Sequence, residues 1–156
     1  MQRFPRLFET MSNEAKPCAY PAKVVEDGGA FVVSFRDVPE AITQVEKREE
    51  IVKAGISVLQ DAAIGICMED HRPFPLASKP RKGEVLVELP LSFAAKIALY
   101  NTMIERRYRQ ADLAKLLDVP TSEVARLVNP NKRIKIDTLC AAVQAMGGSL
   151  SLSFRA

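Results

Sequence analysis

The sequence predicts an α+β protein: a small antiparallel-sheet domain with one packed helix, joined to an all-α unit of short helices that ends in a short strand. Three observations carry that prediction. In the first half, runs of period-two hydrophobicity bracket one long stretch of helical period. In the second half, apolar residues recur at helical spacing in several shorter segments. Charge divides along the same line: residues 20 to 89 hold 9 Lys/Arg against 12 Asp/Glu, whereas from Pro90 onward there are 10 against 5.

A chain of 156 residues, 47% hydrophobic and 26% charged, has the composition of a folded domain or two small ones rather than of a disordered segment. No apolar run is read as a membrane span, and no signal-peptide core opens the chain. Cys18, Cys67 and Cys140 are odd in number and far apart, without metal-ligand spacing. They are expected as reduced thiols, which favours a cytoplasmic location.

Residues 1–19 carry no trusted periodicity and are expected as a flexible extension. Tyr20 to Val25 reads as a strand, Asp27-Gly28-Gly29 as a turn, and Ala30 to Phe35 as the returning strand of a hairpin. Asp37-Val38-Pro39-Glu40 turns the chain into a third strand around Ile42 to Val45. A helix follows over roughly Arg48 to Ile66, with Ile51, Val52, Gly55, Leu59, Ala62, Ala63 and Ile66 as its buried stripe. His71 to Gly83 is rich in proline and charge and reads as a surface loop; Glu84 to Glu88 alternates and returns as a fourth strand. Residues 20–89 thus form one unit. Pro90 opens a connecting helix over 90–107, with Phe93, Ile97, Tyr100 and Ile104 on one face.

Residues 108–156 form the second unit. Leu113, Leu116 and Leu117 share one helix face, Asp118-Val119-Pro120 makes a tight corner, and Thr121 to Asn129 is a second helix burying Val124, Leu127 and Val128. Thr121 is expected at or near its N-cap. A basic loop leads to a third helix with Leu139, Ala142, Val143 and Met146, stopped by Gly147-Gly148. Helix, corner, helix with a polar outer face, and a supporting helix make a helix-turn-helix. Thr121, Ser122, Arg126 and Asn129 are then the candidates for DNA base edges, and Arg109, Gln110, Lys132, Arg133 and Lys135 those for phosphates. Ser149 to Phe154 alternates as a lone strand, which is expected to pair with its copy in a second chain and make a homodimer or higher even-numbered oligomer.

This second unit resembles the Cro/C1 type of helix-turn-helix through Gln110, Asp112-Leu113-Ala114, Val119, Val124, Leu127 and Leu139. It departs at Asp118, where the family usually has Gly, and at Arg109, where it usually has a capping Thr or Ser. From Tyr20 onward the chain resembles HicB, the antitoxin of type II HicA–HicB toxin–antitoxin pairs. The residues are Tyr20-Pro21, the hairpin from Gly28 to Phe35, Asp37 to Gln44, Val87 to Ser92, Ala95-Lys96 and Asn101. Lys47, in place of a capping Thr, and Gly55 inside the long helix are departures. The resemblance implies a partial RNase H-like first domain that docks on a small mRNA-cleaving HicA toxin. It also implies a DNA-binding domain that represses the operon encoding the pair.

The sequence offers no catalytic, metal or cofactor constellation. His71 stands alone in a loop, and no phosphate-binding glycine motif occurs. The carboxylates Asp37, Glu40, Asp61, Glu69 and Asp70 fall mostly in turns or on helix surfaces, and the expected first strand, Tyr20 to Val25, carries none. The reading is a binding protein with two partners, a HicA-like toxin and operator double-stranded DNA. Two rivals use the same residues differently: a metal-dependent nuclease built on the first unit, and a stand-alone repressor whose first unit senses a small ligand.

Overall fold

The computed structural model describes residues 18–151, and within them the protein is α+β. Four strands, β1 (Ala19–Asp27), β2 (Ala30–Phe35), β3 (Ile42–Val45) and β4 (Val85–Glu88), form one sheet in the order β3-β2-β1-β4. Every neighbouring pair is antiparallel. The β1–β2 hairpin closes at Asp27↔Ala30. Its corner is Gly28 (φ 58°) and Gly29 (φ 84°), two positive φ values in succession, which the tight hairpin needs and side chains resist.

One face of the sheet is covered by α1 (Ile51–Ala63), entered through a 3-10 turn at Arg48–Glu50 and continued by a π-helical segment, Ile64–Glu69. Lys47 leads into it without a side-chain cap. Ile51, Gly55, Leu59 and Ala63 recur every fourth residue and are buried. Val52, expected in that stripe, is 44% exposed. The spacing of four selects a narrower contact face than the expected list, because the helix lies close on the sheet. Gly55 shows how close: a Cβ there would stand 3.1 Å from Val87 Cγ2 and 3.2 Å from Phe35 Cζ. Arg48–Glu69 is long and apolar enough by composition to cross a membrane, contrary to the sequence reading; here it is the core helix of the sheet.

The segment after α1 is anchored, although proline and charge suggested a surface loop. Phe74 is 1% exposed and meets Tyr20 edge-on at 5.8 Å and Phe93 at 6.3 Å. The Asn101 side chain accepts from Phe74 N–H (2.8 Å) and donates to Phe74 C=O (2.9 Å), while the Tyr20 hydroxyl donates to Pro75 C=O at 2.7 Å. Further along, Arg36 pairs with Glu84 at 3.1 Å and donates to Ser78 and Lys79.

The helical half comprises α2 (Leu91–Glu105), α3 (Gln110–Leu117), α4 (Thr121–Val128) and α5 (Ile136–Ala145). Beyond the expected face, α2 also buries Ala95, Lys96, Leu99 and Met103, because it packs against α4 and α5 on one side and Phe74 on the other. A continuous apolar core therefore runs from the sheet to α5. Ser149–Ser151 are not in a strand, and the remainder of the expected terminal strand, 152–154, lies outside the described residues.

Candidate nucleic-acid interface

The corner between α3 and α4 is built by one residue. Asp118 takes the left-handed conformation (φ 54°, ψ 47°), and Val119 N–H bonds back to Ala114 C=O at 3.0 Å. Asp accepts that conformation more readily than most non-glycine residues, so glycine is dispensable here. At the start of α3, Asp112 accepts from Arg109 N–H at 2.9 Å. The guanidinium has no acceptor, so only this half of a capping box exists and the Arg109 side chain is exposed at the helix entrance.

Pro120, extended at φ −60° and ψ 148°, is the N-cap of α4, which moves Thr121 to the first helical position without a side-chain cap bond. Thr121 therefore lies next to the N-cap, within the expected placement, but its side chain makes no cap bond; proline supplies the backbone geometry that a capping side chain would otherwise fix. Val124, Leu127 and Val128 point into the core with Leu113 and Leu139. Thr121, Ser122 and Arg126 are exposed on the opposite face, with Arg126 in the last turn, where a cation suits the carbonyl end. Asn129 differs from these three. It is half-buried and its Oδ1 accepts from Asn131 N–H at 2.9 Å, so its amide oxygen shapes the following turn.

Lys132 and Arg133 are exposed in the loop between α4 and α5, and Lys135 is the exposed N-cap of α5. Gln110, the first residue of α3, is half-buried. The chain thus places Arg126, Asn129, Lys132, Arg133 and Lys135 on the end of one helix and the loop leaving it, with Arg109 and Gln110 at the head of the helix packed against it.

The residue that sequence reasoning gave no role is Lys96. It is the charged side chain that is buried among the described residues, 3% exposed, and its ammonium donates to the carbonyls of Asn129 and Lys132. Burial, and secondarily the charge of Arg126, pushes its pKa down to about 8. The signal was present: Lys96 is the sole charge in α2 before Glu105. At the end of α2, Arg106 donates to Met146 C=O at the close of α5.

Three of the first unit's candidate carboxylates, Asp37, Glu40 and Asp70, have side-chain partners. Asp37 accepts from Ser78 N–H (2.9 Å) and from its hydroxyl (2.7 Å). Glu40 and Asp70 each lie 3.1 Å from Arg72, and with Asp61 these residues line one open cleft beside α1. The backbone bond and Arg72 hold the Glu40 carboxyl below its ordinary range. His71 is exposed in a left-handed turn (φ 52°). Among the described residues no group of His, Cys, Asp and Glu is arranged to hold a metal ion. Cys67 is a buried thiol pushed up to about 12 by burial, the opposite of a nucleophile's environment.

Residues 19–98 match the HicB_like antitoxin family of bacterial toxin–antitoxin systems. The chain is 40% identical to Antitoxin HicB 2 of Photorhabdus laumondii over 88% of its own length and 97% of that protein's. It is 36% identical to Antitoxin HicB of Escherichia coli K12 over 80% and 89% of the two chains. Antitoxin HicB of Pseudomonas fluorescens matches at 30%, over 88% and 94%. With the family match over the sheet, α1 and the start of α2, and relatives aligned over most of the chain, the protein belongs to the HicB-like antitoxin family of bacterial toxin–antitoxin systems.

Proposed function

We propose that the protein is a cytoplasmic antitoxin with two binding activities and no catalysis of its own: residues 20–89 occlude a small mRNA-cleaving HicA-like toxin, and residues 108–156 bind operator DNA and repress the operon. The helix over 90–107 joins them. The observation that carries the DNA half is the outer face of α4. Thr121, Ser122 and Arg126 stand exposed on a short helix held by a tight corner, and the basic residues follow in the next loop. In this helix-turn-helix reading α4 enters the major groove, with Arg126 bidentate to a guanine, and Asn129 reaches bases through its amide nitrogen. Arg109, Gln110, Lys132, Arg133 and Lys135 meet phosphates on either side.

The toxin half rests on family membership. The excess of acidic residues between 20 and 89 supports it, since opposite charge speeds encounter with a basic partner. Of the carboxylates a nuclease would need, Asp37 is tied to Ser78, and Glu40 and Asp70 to Arg72, which supports a binding role. A homodimer would set two α4 helices about 34–36 Å apart, matching successive major-groove half-sites.

Two measurements test this. The product of the neighbouring reading frame should co-purify with the protein, and the protein should bind the DNA upstream of its own gene. Arg126→Ala should relax preference at one base pair per half-site, by about 1–3 kcal/mol of discrimination. Unchanged sequence preference in that variant would remove α4 from the groove.

A further inference from the structure

We infer that Lys96 is a positioning residue for DNA binding: from inside the fold, its ammonium holds the loop that presents the basic residues after α4. The inference rests on the operator-binding reading above. Its own foundation is geometric. The two carbonyls that Lys96 reaches, Asn129 and Lys132, are the two ends of one turn. That turn is closed by Lys132 N–H to Asn129 C=O at 3.1 Å and by Asn131 N–H to Asn129 Oδ1 at 2.9 Å. Asn129 is also the C-cap of α4, where the last carbonyls lack intrahelical donors and carry the negative end of the helix dipole. One ammonium therefore bonds the C-cap carbonyl of α4 and the carbonyl at the far end of the turn that leaves it, and so fixes that turn.

A structural role alone is a poor account of this residue. Lys96 lies in an otherwise apolar stretch of α2, among Ala95, Ile97 and Leu99, all buried. No carboxylate is among its hydrogen-bond partners, and the charge facing it from α4 is the like charge of Arg126. Burying an ammonium under those conditions is costly, and an apolar residue of similar length would pack at less cost. What the apolar residue could not do is hold two carbonyls. The consequence falls on Lys132 and Arg133, whose side chains leave an exposed loop that would otherwise have to be ordered as DNA binds. Fixing the loop beforehand removes that cost from the association.

The test uses the full chain. Lys96→Met keeps length and apolar packing but no donor; Lys96→Gln keeps an uncharged donor and serves if the first variant does not fold. For each, thermal unfolding and co-purification with the neighbouring gene product report on the fold. Titrations against operator DNA at several salt concentrations report on the loop. Lys96→Met is expected to stay folded, to keep its partner, and to bind the operator at least tenfold more weakly. Its salt slope should be shallower by about two units, one for each displaced phosphate contact. Lys96→Gln should fall between it and the native protein. In the Lys96→Met background, Lys132→Ala should add little further loss, because the two changes act through one loop. A folded Lys96 variant with native affinity and native salt slope overturns the inference, as does full additivity with Lys132→Ala. Failure of the native protein to bind the upstream DNA would instead overturn the operator reading, so the two failures are distinguishable.

Discussion

Asn101 offers the sharpest test of how α2 is joined to the sheet half. Its carboxamide makes both backbone bonds of Phe74, at 2.8 and 2.9 Å, next to a ring that is 1% exposed. Asn101→Ala leaves an N–H and a C=O without their partner. Each unmet buried polar group costs about 1–3 kcal/mol, and Asn101 is half-buried, so a water can recover part of it. The expected loss is about 2–4 kcal/mol, measured as the change in urea unfolding free energy at constant m-value. Asn101→Asp adds a sign test. Its carboxylate can accept from Phe74 N–H but opposes the Phe74 carbonyl, whereas the protonated acid can donate to it. The folded pKa of that Asp should therefore lie above the unfolded value of about 3.9. Stability gained that way is complete below the unfolded pKa and lost as pH rises through the folded one. Asn101→Asp should thus gain on Asn101→Ala at pH 4 and lose the gain by pH 7. A cost under about 0.5 kcal/mol for Asn101→Ala would mean that the clamp contributes nothing and that ring packing alone holds the segment.

Gly55 should reject larger side chains. Gly55→Ala sets about 1 kcal/mol of helix propensity against contacts of 3.1–3.2 Å with buried Val87 and Phe35, and should come out near neutral. Gly55→Val should cost about 1–3 kcal/mol in urea unfolding, and native stability there would show that α1 can lift from the sheet. Lys132→Ala should weaken binding to all DNA sequences alike and flatten the salt slope by about one unit; a changed sequence preference would make the loop a base reader. The depressed Lys96 pKa of about 8 lies below the unfolded lysine value of about 10.4, so between those pH values the unfolded chain binds the extra proton. Native stability, taken relative to Lys96→Met, should therefore rise with pH across that window. A flat difference would mean that the ammonium is not desolvated.

The sheet was legible because its signals are local. Gly28-Gly29 at positive φ, alternation in Ala30 to Phe35, and turn residues around Pro39 each constrain their own neighbourhood. The corner at Asp118 was legible for the same reason, and so was the apolar side of α4. Of the expected stripe only Val52 was misplaced: its period fits a helix face of ordinary width. Close contact through Gly55 instead centres the fully buried face of α1 on Ile51, Gly55, Leu59 and Ala63, with Ala62 at its margin and Ile66 buried beyond it. Phe74 was missed because a proline-rich, charged stretch gives no sign that one of its rings will insert between Tyr20 and Phe93. That contact depends on residues far away in the chain, and local pattern carries none of it.

For α2 the difficulty is of another kind. A helix covered on one side reads as a stripe; a helix covered on both sides does not, and its charges then look like solvent contacts. Lys96 is withdrawn from solvent, and the exposed Arg106 still spends one guanidinium N–H inside the protein. Each extends from α2 to the carbonyl end of a different helix, Lys96 to Asn129 after α4 and Arg106 to Met146 at the close of α5. A cation there meets a carbonyl and the negative end of a dipole together, so one helix can orient two others without pairing to a carboxylate. Gly147 permits the second contact: it sits at φ 80°, and a Cβ would stand 3.0 Å from the Arg106 guanidinium. On its other side α2 reaches back with Tyr100, whose hydroxyl donates to Cys67 C=O in the π-helical end of α1. Polar tips on α2 thus bond backbone carbonyls in both halves of the chain, and a shift of that helix relative to either half must break buried or part-buried hydrogen bonds. The geometry of α4 is in this way tied to the sheet through backbone contacts that depend little on which side chains surround them.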